Sequence, residues 1–142
     1  MTAWADRYIR IPFVDGGRDH FGCDCWGLIR LVYRDQLQIE LPSYGEIDAK
    51  NLVGIARKMK AGSEDGEQWI RVVGVPKAFD ACLMTWFGKR EIAHIGVMID
   101  AKHVLHTEDR TGVSMSRIDH PHILSRVRMF CRHKALAGGL NE

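Results

Sequence analysis

The sequence predicts an α+β fold in which N-terminal helices pack on one face of a central antiparallel sheet of about five strands. Apolar residues recur at helical spacing in the first half of the chain, and the period becomes strand-like after residue 68. Helices therefore precede strands along the chain, an order typical of α+β folds. We find no internal repeat or linker, so we expect residues 1–142 to form a single domain.

The first half of the chain contains the predicted helices, each with apolar residues at helical spacing. We place them at residues 2–9, 25–34 and 48–60. Pro12 ends the first helix because its ring removes a backbone N–H and blocks further helical turns. Asp24 and Asp48 are the expected N-caps of the other two, since a carboxylate there accepts a hydrogen bond from the first helical turn. We expect loops at residues 14–19 and 35–46.

The second half of the chain contains the predicted strands, separated by short polar turns. A short candidate strand at residues 69–73 precedes a meander, whose strands we place at residues 81–87, 92–99, 103–107, 112–118 and 126–132. Residues 92–99 are almost all apolar, as expected for a central strand that is covered on both faces. A short helix is predicted at residues 119–125, and residues 134–142 are expected to be a frayed tail.

The composition excludes several classes of function. Of the 142 residues, 46% are hydrophobic, and the formal net charge is only +2 without a run of Lys or Arg, so nucleic-acid binding is not expected. Four cysteines are too few for a disulfide scaffold, and no apolar run is long enough to span a membrane. The N-terminus is charged at Asp6, Arg7 and Arg10, so we expect no signal peptide and synthesis in the cytosol.

Cys25 is the candidate nucleophile, because it lies in the first turn of the second predicted helix. Unpaired backbone N–H groups and the positive end of the helix dipole are expected to favour its thiolate, which is the nucleophilic form of cysteine. Leu28, Ile29 and Val32 follow on the same side, so Cys25 is expected at the edge of the core. The alternative is a small buried cysteine with a purely structural role.

A cysteine nucleophile needs a base, and His94 and His106 are the candidate base and its orienting partner. A three-residue turn between their strands, at either 99–101 or 100–102, leaves two registers. The first places His106 opposite His94, and the second places it opposite Gly96. In both registers the two imidazoles share a sheet face, whereas a two-residue turn would separate them. The sequence thus permits a Cys–His–His relay, with backbone N–H groups at the helix start, including that of Cys25, in an oxyanion hole.

Each of these residues also has a structural alternative. A histidine in a strand is more often a hydrogen-bonded core residue than a catalyst. Zinc is a chemical alternative, but Cys-x-Cys is not the usual spacing of zinc ligands. The ligands would be Cys23, Cys25, His94 and His106. We therefore predict no metal and no cofactor, and we interpret Cys82 and Cys131 as core residues because they lie in apolar strands.

Several motifs occur along the chain in a characteristic order. Residues 24–28 read Asp-Cys-Trp-Gly-Leu, residues 94–97 read His-Ile-Gly-Val, and His106 follows His94 by twelve residues. They resemble the Asp-Cys-Ser-Gly-Leu nucleophile motif, the His-Val-Gly-Ile strand and the third polar residue of the NlpC family of cell-wall cysteine peptidases, which have a papain-like fold. Residues 11–17 are similar to the Pro-Tyr-x-x-Gly-Gly lead-in of that family. The resemblance covers roughly residues 4–132 and implies that Cys25, His94 and His106 are catalytic.

The resemblance implies a function as well as a fold. It implies hydrolysis of a peptide bond in the peptidoglycan stem, typically between D-glutamate and diaminopimelate, with Asp24 and Trp26 as substrate-binding residues beside the nucleophile. Together with Leu-Pro-Ser-Tyr at residues 41–44, the nucleophile motif is most similar to the branch found in tailed phages and prophages. We therefore expect a virion tail-tip protein with tail-tip or hub proteins as partners. It would be made in the host cytoplasm and act in the host periplasm or cell wall.

Two departures from the family pattern support alternative functions. Phe13 replaces the lead-in tyrosine whose hydroxyl is thought to help the oxyanion hole, and loss of one such donor can lower the rate by a factor on the order of 10²–10³. Trp26 replaces the serine that follows the nucleophile. The first alternative is a mainly structural tail-tip component with little or no hydrolase activity. The second is a related thiol amidase or acyltransferase that uses the same residues on another substrate.

Overall fold

The computed structural model describes residues 3–41, 69–86, 88–90 and 92–136. Its helical elements are α1 (Ala3–Asp6), α2 (Cys25–Val32), a π-helical turn (Tyr33–Leu37) and α3 (Pro121–Leu124). Its strands are β1 (Arg18–Asp19), β2 (Gly22–Cys23), β3 (Trp69–Arg71), β4 (Ala81–Thr85), β5 (Ile92–Met98), β6 (His103–Glu108), β7 (Gly112–Arg117) and β8 (Val127–His133). The predicted helix at 48–60 and residues 137–142 of the predicted tail lie outside the described residues. None of the described helices is long and apolar enough to cross a membrane.

The large sheet has six antiparallel strands in the order β3-β8-β4-β5-β6-β7. The strands from β4 to β7 form the predicted meander, but β8 returns between β3 and β4. The predicted α+β fold is confirmed, with six strands rather than about five because the short candidate strand at 69–73 joins the sheet as its edge. A small hairpin of β1 and β2 replaces part of the loop that was predicted before the cysteine helix.

Hydrophobic clusters cover both faces of the large sheet. The larger cluster joins α2 to the sheet and includes Leu28, Ile29, Ile95 and Val97. The smaller cluster lies on the opposite face and includes Cys82, Met84, Met98, Val104 and Ile123 of α3. Strand β5 is therefore buried on both faces, as its almost wholly apolar sequence predicted.

Helix α2 begins where the sequence predicted but ends differently. Helical spacing predicted a regular helix to about Arg34, whereas the α-helical part ends at Val32 and a π-helical turn follows. Gln38 then adopts a left-handed conformation with φ of 55°, and its N–H bonds to the carbonyl of Tyr33. This arrangement ends the helix, because a left-handed residue reverses the chain direction.

Candidate active site

The carboxylate of Asp24 organises the first turn of α2. Its Oδ1 accepts hydrogen bonds from the N–H of Gly27 at 2.8 Å and from Nη1 of Arg18 at 2.7 Å. Its Oδ2 accepts the N–H of Gly16 at 3.0 Å. Asp24 is therefore the N-cap that the sequence predicted, and it also ties the helix to the loop before β1.

The side chain of Cys25 is buried beneath the first turn of α2, with 4% of the residue exposed. The backbone N–H groups of Ile95, Cys25 and Trp26 near its sulfur favour the thiolate and lower its pKa. Burial is the larger effect, and together with the negative charge of Asp24 it raises the pKa of the thiol from 9.0 to about 12. The expectation that the helix start produces a thiolate is therefore wrong for this conformation, in which Cys25 is a protonated thiol.

The register of β5 and β6 brings the two candidate histidines together. The observed cross-strand pairs are Val97 with Leu105 and Met98 with Val104. Continued by one residue, this register places His106 opposite Gly96 and diagonal to His94. It is the second of the two expected registers, with the turn at residues 100–102. Nε2 of His94 lies 3.1 Å from Nδ1 of His106, and both rings are buried.

The surroundings of the two imidazoles keep them neutral. Nε2 of His106 lies 3.1 Å from Oγ of Ser116 on β7, and its Nδ1 lies 3.6 Å from Oε1 of Glu108. Burial lowers the pKa of His106, while the carboxylate of Glu108 raises it and the guanidinium of Arg126 lowers it. Burial, helped by His106 and Arg126, holds the pKa of His94 well below its ordinary value of 6.5. Both rings are therefore neutral at neutral pH, as a base and its orienting partner require.

Nδ1 of His94 is buried and has no hydrogen-bond partner in the described part of the chain. If Nε2–H of His94 donates to Nδ1 of His106, then Nε2–H of His106 can donate to Ser116. In this pair of tautomers Nδ1 of His94 carries a lone pair and can accept a proton. Alternation along β5 places Ile95 toward α2 and His94 toward the other face. Cys25 thus contacts β5 at the residue next to His94, without a hydrogen bond between their side chains.

One group of side chains in the described residues comes close enough to hold a metal ion. The ligand atoms of His94, His106 and Glu108 lie within 4.8 Å of one another. The Glu108 carboxylate is already paired with a cation, because its Oε1 accepts a hydrogen bond from Nη1 of Arg126 at 3.1 Å. We therefore interpret the group as a hydrogen-bonded relay. The zinc alternative gains no support, since neither Cys23 nor Cys25 belongs to this group.

The structure buries both residues that were predicted to bind substrate. Asp24 is 3% exposed and Trp26 is 1% exposed. Trp26 packs in the larger hydrophobic cluster, and Asp24 bonds to the protein's own loop and helix. Neither side chain is open to a ligand in this conformation, so a role in substrate binding stays a prediction. Phe13 forms an isolated bridge with Cys23 and has no hydroxyl to offer an oxyanion.

Some residues around the histidines were not identified from the sequence. They are Trp86, Glu108, Ser116 and Arg126. Ser116 could have been found, because alternation along β7 puts it on the same face as Ser114, the cross-strand partner of His106. Arg126 has no local signal, since it approaches the site only because β8 returns beside β4.

Comparison with known protein families identifies one match. A sequence model of the NlpC/P60 family matches residues 10–132 of this chain. That range contains the predicted nucleophile motif and both candidate histidines. No curated protein matches the sequence.

Solved structures with a similar fold include three from NlpC/P60 proteins. The NlpC/p60 domain of the peptidoglycan hydrolase SagA is 19% identical with a TM-score of 0.59, and the match covers 92% of this chain and 93% of that one. A lipoprotein-like NLP/P60 protein from Staphylococcus aureus is 19% identical with a TM-score of 0.60, covering 91% and 39%. An NlpC/P60 protein from Bacillus cereus is 16% identical with a TM-score of 0.64, covering 89% and 36%. These identities show a shared fold, and this chain spans less than half of the last two proteins.

Proposed function

Because this chain belongs to the NlpC/P60 family, whose members are cysteine peptidases and peptidoglycan hydrolases, we propose that it cleaves an amide bond of the peptidoglycan stem peptide. Cys25 is the nucleophile, His94 is the base, and His106 orients the base. The bond is the one between D-glutamate and diaminopimelate, as the sequence resemblance implies. The observation that carries the proposal is the unpaired Nδ1 of buried His94, whose other ring nitrogen contacts His106.

Acylation begins with transfer of the thiol proton. Nδ1 of His94 takes the proton from Sγ of Cys25, and the sulfur attacks the carbonyl carbon of the scissile amide. The negative charge that develops on the carbonyl oxygen is stabilised by backbone N–H groups at the start of α2. The C–N bond then breaks, His94 returns the proton to the departing amine, and a thioester remains on Cys25.

Deacylation uses the same groups in reverse order. His94 removes a proton from a water molecule, and the resulting hydroxide attacks the thioester carbon. The C–S bond breaks, and the sulfur leaves with the proton that His94 held. The carboxylic acid product departs and loses its proton to solvent, and the neutral Cys25–His94 pair is restored.

The electrostatics of the resting site keep both Cys25 and His94 neutral. Cys25 has a pKa of about 12, and the pKa of His94 lies well below 6.5, so the proton remains on sulfur until a substrate enters. No hydrogen bond joins Sγ to Nδ1 in the described residues of the resting site, and His94 points to the sheet face away from α2, so the proposed transfer requires a rearrangement on substrate binding that brings the two atoms together. Release of water from the site would strengthen the attraction between the thiolate and the imidazolium that form during transfer.

The test is digestion of purified sacculi that contain diaminopimelate. The full chain is expected to release stem-peptide fragments, and both Cys25→Ala and His94→Ala should reduce release to background. Cys23→Ala is the matched control, since Cys23 is also a buried cysteine near α2 but has no part in the mechanism. Undiminished release by Cys25→Ala, or loss of release in Cys23→Ala alone, would contradict the assignment of the nucleophile.

The setting of this activity is proposed from the sequence resemblance. The chain acts as a virion tail-tip protein, held by tail-tip or hub proteins and delivered to the periplasm or cell wall of the host. The nucleophile motif and the Leu-Pro-Ser-Tyr segment support this branch of the family. Immunogold labelling of intact virions should place the chain at the tail tip, and uniform absence from purified particles would contradict this setting.

A second function is favoured by the buried and protonated state of Cys25. In this alternative the chain keeps the family fold as a structural tail-tip component with little or no hydrolase activity. Phe13 and Trp26, which replace a tyrosine and a serine of the family pattern, support it. Virions that carry Cys25→Ala would then assemble and infect like the wild type, whereas the peptidase proposal predicts slower entry through the cell wall.

A further inference from the structure

Arg126 is a buried cation that contacts the ends of two strands and the ring of Trp86. The residue is 3% exposed. Its Nε donates to the carbonyl of Thr85 at the end of β4 at 2.8 Å, and its Nη1 donates to Oε1 of Glu108 at the end of β6 at 3.1 Å. Its Cζ lies 5.7 Å from the centre of the Trp86 ring. Burial of a guanidinium is unfavourable unless such partners compensate for lost hydration, so these contacts define its position closely.

The partners of Arg126 are also the neighbours of the two candidate catalytic histidines. The ring of Trp86 packs against the ring of His94, with centroids 4.6 Å apart. Oε1 of Glu108 lies 3.6 Å from Nδ1 of His106, the nitrogen that must accept the hydrogen bond from His94. Arg126 therefore binds one neighbour of each histidine.

We propose that Arg126 is a positioning residue for the His94–His106 pair, which it acts on by binding the Glu108 carboxylate and supporting Trp86. A carboxylate without a cation beside it would attract a proton to Nδ1 of His106. That proton would reverse the hydrogen bond between the two rings, and His94 would then carry its own proton on Nδ1. With Arg126 in place, the carboxylate is already compensated and Nδ1 of His106 can accept from His94.

The electrostatics of the pair agree with this geometry. Arg126 is one of the charges that lower the pKa of both histidines, whereas Glu108 raises the pKa of His106. Replacing Arg126 with a neutral residue removes the first effect and leaves the second without compensation. Both changes favour protonation of the histidine pair.

Other titratable groups of the described residues also face this pair. They are Glu108 from β6, Arg126 from the segment before β8 and, around a cavity of about 470 Å³ beside His106, Arg117, His120 and His122. Arg117 forms an exposed ion pair with Asp119 at 2.9 Å and makes no hydrogen bond or ion pair with Glu108 or either candidate histidine within the described part of the chain. Arg117→Gln is therefore a matched control, since it removes one positive charge from the same cavity.

The experiment measures the titration of the two imidazoles by NMR of isotope-labelled, full-length protein, together with the pH dependence of sacculus digestion. Arg126→Gln should raise the midpoint of the His94–His106 pair by about one pH unit and shift the acid limb of activity upward equally. In Arg126→Lys, which keeps the charge, the midpoint should stay near the wild-type value. In the double variant Arg126→Gln with Glu108→Gln, the midpoint should return part of the way to the wild-type value, because the uncompensated carboxylate is gone.

If Arg126→Gln fails to fold, Glu108→Gln still tests the proposal, because it keeps the buried arginine. Glu108→Gln alone should lower the midpoint of His106, since it removes the charge that favours protonation. Midpoints that are the same in wild type, Glu108→Gln and Arg126→Gln would overturn the proposal, as would an equal shift in Arg117→Gln. The activity readout rests on the proposed function, but the NMR midpoints do not. Absence of sacculus digestion by the wild type would therefore contradict the peptidase alone.

Discussion

Raising the pH above 8 is expected to destabilise the folded chain, because all four of its cysteines are buried. Burial raises the pKa of Cys23, Cys25 and Cys82 from 9.0 to about 12, and that of Cys131 from 9.0 to about 11. When folding raises a pKa, the stability it contributes is complete below the unfolded value and is lost as the pH approaches the folded value. Between pH 9 and 11 the unfolded chain releases thiol protons that the folded chain retains.

The magnitude follows from these values. At pH 10, ionisation of a thiol with the ordinary pKa of 9.0 stabilises the unfolded chain by about 1.4 kcal/mol, whereas the same thiol in the folded chain stays almost wholly protonated. The four thiols together should lower the free energy of unfolding by up to about 5.5 kcal/mol at pH 10. Folded domains are commonly stable by about 5–15 kcal/mol, so this loss is a large part of the total.

The assay is urea unfolding at pH 8, 9 and 10 in the presence of a reductant. Cys82→Ala is the informative variant, since Cys82 is fully buried and lies on the face of the sheet away from α2. This variant should lose about 1.4 kcal/mol less of its free energy of unfolding between pH 8 and pH 10 than the wild type does, whatever the effect of the substitution at pH 8. A total loss below about 1 kcal/mol in the wild type would mean that water reaches the thiols of the native chain, and the reasoning would fail.

Two substitutions test the packing that supports the site. In Gly27→Ala the added Cβ would lie 2.1 Å from the carbonyl oxygen of Gly17, so α2 must shift; we expect a loss of roughly 2–4 kcal/mol in thermal unfolding and lower activity. Gly88→Ala meets no atom within 4 Å, although its φ of +71° adds backbone strain, and a larger loss there than at Gly27 would contradict the packing argument. Arg132→Met removes both 2.8 Å bonds to the fully buried Asp80 and should cost about 3–5 kcal/mol, as measured by urea unfolding. If the added substitution Asp80→Asn recovers none of that loss, the unpaired carboxylate is not its cause.

The sequence predicted those parts of the site that depend on short-range geometry. The Asp24 cap involves residues within one helical turn, and the pairing of His94 with His106 depends only on a three-residue turn between neighbouring strands. Both contacts join residues that are close in the sequence, so residue spacing and the alternation of side chains along a strand were enough to predict them. The one open choice, between two registers, affected the distance between the rings and not their shared face.

Contacts that depend on the order of strands in the sheet could not be predicted from the sequence. Arg126 approaches Glu108 because β8 returns beside β4 instead of extending the meander at its far edge. Nothing in the residues near 126 distinguishes these two positions, since an alternating strand can pair at either edge of a sheet. The small β1–β2 hairpin was missed for a related reason: its two-residue strands are too short to show any period.

The protonation state of Cys25 shows why a local argument can identify the right residue and still assign it the wrong state. A helix N-terminus stabilises a nearby negative charge by about 0.3–1 kcal/mol at an exposed position. The rise of the thiol pKa from 9.0 to about 12 corresponds to about 4 kcal/mol in the opposite direction, and burial is its largest cause. Burial depends on how the whole of α2 packs on β5, which the spacing of apolar residues does not quantify. A change that admits water to Cys25 should therefore lower its pKa more than any change of charge at the start of α2.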